Sequence, residues 1–186
     1  MSALTKKALV ASFIRILKEK QFEKINIKDI TDDCGVARMT FYYHFQDIYD
    51  LLDYVMREKL RTSVSKTFTY ETWQEDYVAV FEAVLKEKVF FLKIFNSIDL
   101  RRMEYYLSDF AHQCVYEMLD ELTEMNGLVL NGKRREMVCD IYCYSMVGLL
   151  LNWISTGMKE EPRILVGRFC ATIKGTLEIM LKNSAE

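Results

Sequence analysis

Helix breakers are scarce in this chain. Pro162 is its single proline, and seven glycines are spread over 186 residues, which excludes collagen-like, linker-rich and turn-rich all-β chains. Histidine is rarer still. His44 and His112 are the two present, no GxSxG elbow or phosphate-cradling glycine-rich loop occurs, and so no enzyme and no catalytic residue is expected. The five cysteines, odd in number and without framework spacing, fit reduced thiols in a cytoplasm rather than a disulfide scaffold. The most apolar run, around Tyr144 to Ile154, is interrupted by Ser145, Gly148 and Asn152 and is short for a bilayer. With no signal-peptide pattern either, a cytoplasmic protein without a membrane partner is expected.

What is present is helical periodicity. Hydrophobic residues make up 51% and charged residues 28%, a globular composition, and the apolar positions recur at three and four spacing, so the expected fold is all-α. A long helix is expected from about Ile48, then helices over Thr72 to Lys86, Lys88 to Asn96, Leu100 to Met125 and Lys133 to Thr156. Pro162 in a first turn opens a last one reaching about Lys182. Asn126-Gly127 and Asn131-Gly132 bracket a helix–helix connection too short to carry strands.

The segment from Asn26 to Phe45, NIKDITDDCGVARMTFYYHF, fits a short helix, a glycine turn and a second short helix. Asn26 is a good N-cap, Ile27, Ile30 and Cys34 give one apolar face, and Gly35 stands where the first helix must end in a left-handed residue. In the second helix Phe41 and Phe45 are one turn apart and can anchor it, leaving Thr40, Tyr43 and His44 to face outward. A helix held from behind in this way can enter a DNA groove.

At KDITDDCGVARMTFYYHFQDIYDLL the chain resembles the DNA-binding domain of the TetR family of bacterial transcription regulators. The resemblance rests on Ile30, the Gly35-Val36 turn, Tyr42, His44 and Phe45, and Leu51 in the following helix; upstream, Ala8, Leu9, Phe13 and Leu17 form the stripe of a first helix before Gln21-Phe22. It implies a three-helix helix-turn-helix domain over residues 1–47 and a helical dimerisation and effector domain over 48–186. Two positions depart from the family pattern: Ala37 stands where Ser is common, and Ile48 where Lys usually meets the phosphate backbone. Both changes should weaken binding rather than abolish it.

By chemistry and by matched position, Arg38 is the candidate for hydrogen bonds to guanine and Met39 for contact with a thymine methyl, while Thr40 and Tyr43 can reach bases or phosphates. Tyr42 and His44 resemble the family's phosphate-contacting pair, and Lys28 is placed for the same task; packing against the next helix is the competing role for Tyr42 and His44. The net charge of −2 divides unevenly: eleven lysines and arginines face nine acidic residues up to Arg61, and fourteen face eighteen beyond it. Lys6, Lys7, Lys24, Lys28 and Arg38 are the cations on the side expected to meet the duplex.

The segment DIYCYSMVGLLLNWISTGMKEEP resembles the C-terminal domain of a TetR subgroup that includes the activator of dihydroxyacetone kinase operons, whose control is thought to pass through a partner protein. Val147, Leu149, Leu150, Leu151, Trp153 and Ile154 cover more than one helix face, so two neighbours are needed. Gly148 inside that helix suggests another helix close by. With Leu165, Phe169, Ile173 and Leu177 in the last helix, a homodimer through a four-helix bundle is expected, burial of both helices within one subunit being the alternative; the dimer would read a palindromic double-stranded operator in adjacent major grooves under control of a small effector or a partner protein. Phe81, Phe90, Phe91, Phe95, Tyr105, Tyr106, Tyr116 and Tyr142 are either pocket lining or core. His112 with Cys114, and Cys139 with Cys143, allow a metal-sensor reading, but no CxxC or HxxxH pair supports it, and neither a metal nor a cofactor is expected. A helical interaction adaptor that has lost DNA binding is the rival function, and Ala37 and Ile48 are the residues that favour it.

Overall fold

The computed structural model describes residues 3–62, 69–129 and 131–184, which form ten α-helices and no strand. Helices α1 (Ala3–Glu19), α2 (Ile27–Cys34) and α3 (Arg38–His44), with a 3₁₀ turn at Phe22–Lys24, make the N-terminal unit. Helix α4 (Ile48–Arg61) leads into a body of α5 (Trp73–Lys86), α6 (Lys88–Ser97), α7 (Leu100–Asn126), α8 (Gly132–Ser155), α9 (Pro162–Ile173) and α10 (Thr176–Ser184). The sequence thus placed these boundaries within a residue or so, with one exception. The last helix breaks at Lys174–Gly175, where Gly175 has φ +75°, a left-handed conformation in which glycine ends a helix without a Cβ penalty.

Local chemistry fixes the ends. Asp47 accepts from the backbone N–H groups of Tyr49 and Asp50 at 2.8 and 2.9 Å and so starts α4. Asp99 does the same for α7 through Arg101, and Asn131 for α8 through Arg134. Each cap satisfies N–H groups that have no intrahelical partner.

Two centres of packing share one continuous core. In the N-terminal unit Leu9, Phe13, Ile30 and Phe41 are fully buried. In the body α7 and α8 form the most extensive helix pair, and Phe81 meets Trp153 with ring centroids 4.9 Å apart. Helix α6 joins the two centres, packing on α1 and the 3₁₀ turn. Its Lys93 donates to the carbonyls of Leu17 and Lys18 at 2.9 and 2.6 Å, placing a cation where the C-terminal end of α1 concentrates negative charge.

Helix α8 is long and apolar enough, by length and composition, to cross a membrane, contrary to the expectation from the apolar run alone; half of its most apolar window is buried inside the fold. Val147, Leu150, Trp153 and Ile154 are buried and Leu149 and Leu151 half-buried within one protomer. Leu165, Phe169 and Ile173 likewise turn inward, Phe169 against Tyr77 at 5.7 Å. Val147, Leu150, Trp153 and Ile154 therefore find their neighbours inside the chain, where α8 is wrapped by α6, α7 and α10 and α9 lies on α5, whereas Leu149, Leu151, Leu165, Phe169 and Ile173 are only half covered there. Other apolar residues of these helices stay uncovered, Met137, Ile141 and Tyr144 on α8 and Ile164 on α9, all 41–61% exposed.

Candidate nucleic-acid interface

The helix-turn-helix forms as its local signals dictate. The Asn26 side chain accepts from the Asp29 N–H at 3.0 Å while the Asp29 carboxylate accepts from the Asn26 N–H at 3.1 Å, a complete capping box. Lys20 adds an ion pair to Asp29 at 3.0 Å. The Asn26 backbone N–H first, then Lys20, hold the Asp29 carboxyl below its usual range. At the other end Gly35 takes φ +67°, and the Val36 N–H bonds back to the Thr31 carbonyl at 3.0 Å, turning the chain into α3. Ser12 of α1 donates to the Ile30 carbonyl at 3.2 Å, and Arg15 pairs with Asp33, so α2 is held to α1 by polar as well as apolar contact.

Helix α3 is thereby presented with one face locked and one open. Phe41 and Phe45 are 0% and 3% exposed, whereas Met39 is 75% and Tyr43 67% exposed. Arg38, Met39, Tyr42 and Tyr43 fall within an arc of roughly 140° at about 100° per residue. Arg38 donates to the Tyr42 hydroxyl at 3.1 Å, keeping its guanidinium along the helix. Lys28 is exposed on α2.

Two expected outward residues sit differently. Thr40 and His44 are half-buried on the flank of α3, one turn apart and on the side away from Arg38 and Met39, because the anchoring of Phe41 and Phe45 rolls that flank toward the domain. The His44 ring stacks edge-on to Tyr43 at 5.0 Å, and its Nε2 is buried without a hydrogen-bond partner. Lys6 also departs from the expected set: its ammonium lies 3.7 Å from the Tyr54 ring centroid and 5.2 Å from that of Phe45, bracing α1 against α4 by cation–π attraction. Ala37 caps α3 with no side-chain hydrogen bond. Ile48 is half-buried and packs against the core.

In the body, Phe81, Phe90, Phe91, Tyr106 and Tyr142 are core, Phe95 and Tyr116 half-buried, and Tyr105 61% exposed. A small apolar cavity of about 40 Å³ lies between α5, α7 and α8, lined by Tyr77, Phe110, Cys114 and Met146 among others; none of the aromatics nominated from sequence lines it. An open polar groove of about 790 Å³ runs between the start of α4 and α7, past Asp50, Arg102 and Tyr105. Cys114 points to the apolar cavity, and burial raises its thiol to about 12, so it does not join His112. Instead His112 meets Cys139 and Cys143 across the α7–α8 contact. Lys93, a tie between body and N-terminal unit, was missed; a lone lysine inside the apolar run VFFLKIF was its one sequence signal.

An all-helical chain with a rigidly backed, solvent-facing helix after a glycine turn is a helix-turn-helix protein. Comparison with known proteins places it further. Residues 9–55 match the model of the bacterial regulatory proteins of the tetR family, and residues 71–175 match that of a transcriptional regulator C-terminal region. The chain belongs to the TetR family of bacterial transcriptional regulators. It is 23% identical over 94 residues to the HTH-type dhaKLM operon transcriptional activator DhaS of Lactococcus lactis subsp. lactis (strain IL1403), an alignment that spans half of this chain and half of that relative. The solved structure of a dihydroxyacetone kinase operon activator DhaS superposes with a TM-score of 0.70 at 17% identity over the whole of both chains. NalD of Pseudomonas aeruginosa, the secondary repressor of the MexAB-OprM multidrug efflux pump, gives 0.56 at 14% identity, covering 98% of this chain and 97% of that one. At such identities the likeness is one of fold. Family and fold are those of transcription regulators, not of enzymes.

Proposed function

We propose that this regulator acts in the cytoplasm as a homodimer that reads a palindromic operator through α3, with residues 1–47 as the reader and 48–186 as the regulatory body. The observation that carries the reading is the open face of α3, with Arg38, Met39, Tyr42 and Tyr43 exposed above a buried Phe41. In a major groove Arg38 would exchange its Tyr42 bond for the edge of a guanine, Met39 would meet a thymine methyl, and Tyr43 and Thr40 would reach bases or phosphates. Lys28, Tyr42 and His44 would hold the backbone, His44 through Nδ1 or after a ring rotation that frees its Nε2.

One such helix spans only a few base pairs, so two related by a dyad are needed for a unique site. The uncovered face of α8 and α9 supports a second copy there. Gly148 and Gly167 are exposed on it, and a Cβ at either would meet nothing within the protomer; glycine inside a helix costs about 1 kcal/mol relative to alanine, which close approach of a neighbouring helix would offset. For control we propose a small effector or a partner protein: the apolar cavity of about 40 Å³ falls below the roughly 300–1,000 Å³ that small-molecule sites occupy, whereas the open polar groove of about 790 Å³ past Tyr105 and Tyr106 lies within that range.

The test is selection of bound fragments from the source genome by the purified full-length protein at physiological salt, followed by sequencing. Enrichment of an inverted repeat supports the proposal. A folded dimer that enriches nothing, with or without cell extract, favours the interaction adaptor instead.

A further inference from the structure

Away from the reader, the α7–α8 contact brings His112 to the Cys139–Cys143 pair, a grouping that sequence spacing did not make legible. His112 stands on α7, Cys139 and Cys143 stand one turn apart on α8, and one ligand atom of each lies within 4.8 Å of the others. The two sulfurs are 3.7 Å apart. Zinc–sulfur bonds of about 2.3 Å at a tetrahedral angle separate two sulfurs by about 3.8 Å, so this pair already spans one edge of a coordination tetrahedron. A zinc–nitrogen bond of about 2.0 Å sets the sulfur–nitrogen edge at about 3.5 Å; with the three ligand atoms within 4.8 Å of one another, the imidazole has to close by no more than about 1.3 Å.

The surroundings of His112 suit a ligand. Its Nδ1 is 2.7 Å from the Ser108 carbonyl, an acceptor that keeps the proton on Nδ1 and leaves Nε2 to coordinate, as outer-shell carbonyls do for metal-bound histidines. Asp140, next to Cys139, places Oδ1 2.9 Å from Nε2, so without an ion Nε2 donates to this carboxylate, and the same oxygen can serve as a fourth ligand once that proton leaves. Both cysteines are fully buried, whereas the His112 and Asp140 side chains are 28% and 31% exposed, so an ion has a way in from solvent. Two thiolates with an imidazole select zinc-like ions over magnesium or calcium.

We propose that His112, Cys139 and Cys143 form a binding site for a Zn2+-class ion that clamps α7 to α8. On binding, the two thiols and His112 Nε2 release their protons to solvent, and the sulfurs and the imidazole nitrogen become ligands without any change of oxidation state. The clamp would stiffen the turn of α8 whose outer side bears Ile141 and Tyr144, and Tyr144 lies 6.4 Å from the His112 ring. The site is independent of operator reading, and its test uses no DNA.

Full-length protein, chelator-treated and held reduced by a phosphine under nitrogen, is titrated with Co2+. The expected result is a near-ultraviolet thiolate-to-cobalt band with the visible bands of tetrahedral Co2+, saturating at one ion per chain and displaced by Zn2+. Cys139→Ser with Cys143→Ser should abolish the bands, His112→Ala should weaken binding at least about 10-fold, and Cys114→Ser with Cys170→Ser should leave the bands in place. Circular dichroism confirms folding, and if the Cys139/Cys143 double variant fails to fold, Cys143→Ser alone must still lower affinity by at least about 10-fold. Absence of the thiolate band in folded wild-type protein, or its persistence in the folded Cys139/Cys143 double variant, overturns the proposal.

Discussion

The reader and the body are both helical, yet they are specified in different ways. In the proposed reader, short helices owe their ends to local devices, namely the Asn26–Asp29 capping box and the left-handed Gly35, and the proposed reading face is whatever the anchors Phe41 and Phe45 leave outside. In the body, long helices form readily but their function depends on which faces meet, and that is decided by residues far apart in sequence. His112 and Cys139, Tyr77 and Phe169, and Lys93 and Leu17 are such pairs. A motif in the reader therefore carries its role with it, whereas a motif in the body acquires one only through its partner.

The largest expected effect comes from removing an anchor. Phe41 is 0% exposed, and Phe41→Ala should destabilise the reader by about 3–5 kcal/mol. Because the two centres are joined through α6 and Lys93, the comparison sharpens if the reader unfolds alone. Hydrogen exchange should then show α2 and α3 unprotected while α7 and α8 remain protected. Simultaneous loss of protection in both would make them one cooperative unit.

Arg38→Ala probes the exposed face rather than the core. With an exposed side chain bonded only along its own helix to Tyr42, its loss should leave the melting temperature unchanged. Operator affinity should fall by about 1–3 kcal/mol, roughly 5- to 150-fold, if Arg38 makes a bidentate contact to guanine. A competition assay against a substituted operator would show relaxed specificity at that base pair. An unchanged affinity would remove Arg38 from the reading face.

How legible each region was follows from the same contrast. The capped ends, the glycine turn and the buried pair Phe41 and Phe45 could be read because each signal spans only about one helical turn. Thr40 and His44 were placed too far outward because helical spacing alone does not say how far a helix rolls about its anchors. In the body the boundaries were legible and the pairings were not: Leu165, Phe169 and Ile173 look like an interface stripe, yet each is already half covered within the chain, Phe169 by Tyr77 of α5. The break at Gly175 was hidden because apolar spacing continues across it from Ile173 to Leu177. The apolar cavity between α5, α7 and α8 draws on Tyr77 and Phe110, which nothing in their own segments distinguishes from core.

Gly148→Ala separates the protomer from the assembly. A Cβ there would meet nothing inside the chain, so the isolated protomer should gain about 1 kcal/mol of helix stability. Across a tight two-fold interface the same methyl group would overpack, costing about 1–3 kcal/mol. Sedimentation should then show a weaker dimer built from a more stable chain. A variant that gains stability and dimerises unchanged would place the interface elsewhere on the body.

The smallest effect concerns acid. The carboxyls held below their usual range, Asp29 and Asp33, both lie in the reader, Asp29 through the Asn26 N–H and Lys20 and Asp33 through Arg15. A depressed carboxyl adds stability above its unfolded value, 3.8 for Asp29, and that contribution fades as pH falls through the lower folded value. Below pH about 4 the α2 amides should therefore exchange faster, ahead of those in α7 and α8. Asp29→Asn keeps the side-chain shape but cannot lose a charge, so it should weaken α2 at neutral pH by no more than about 1 kcal/mol and flatten the acid dependence of its exchange. If α2 in that variant still loosens with acid as steeply as in wild type, Arg15–Asp33 or the packing beneath it, rather than the capping box, sets the acid limit of the reader.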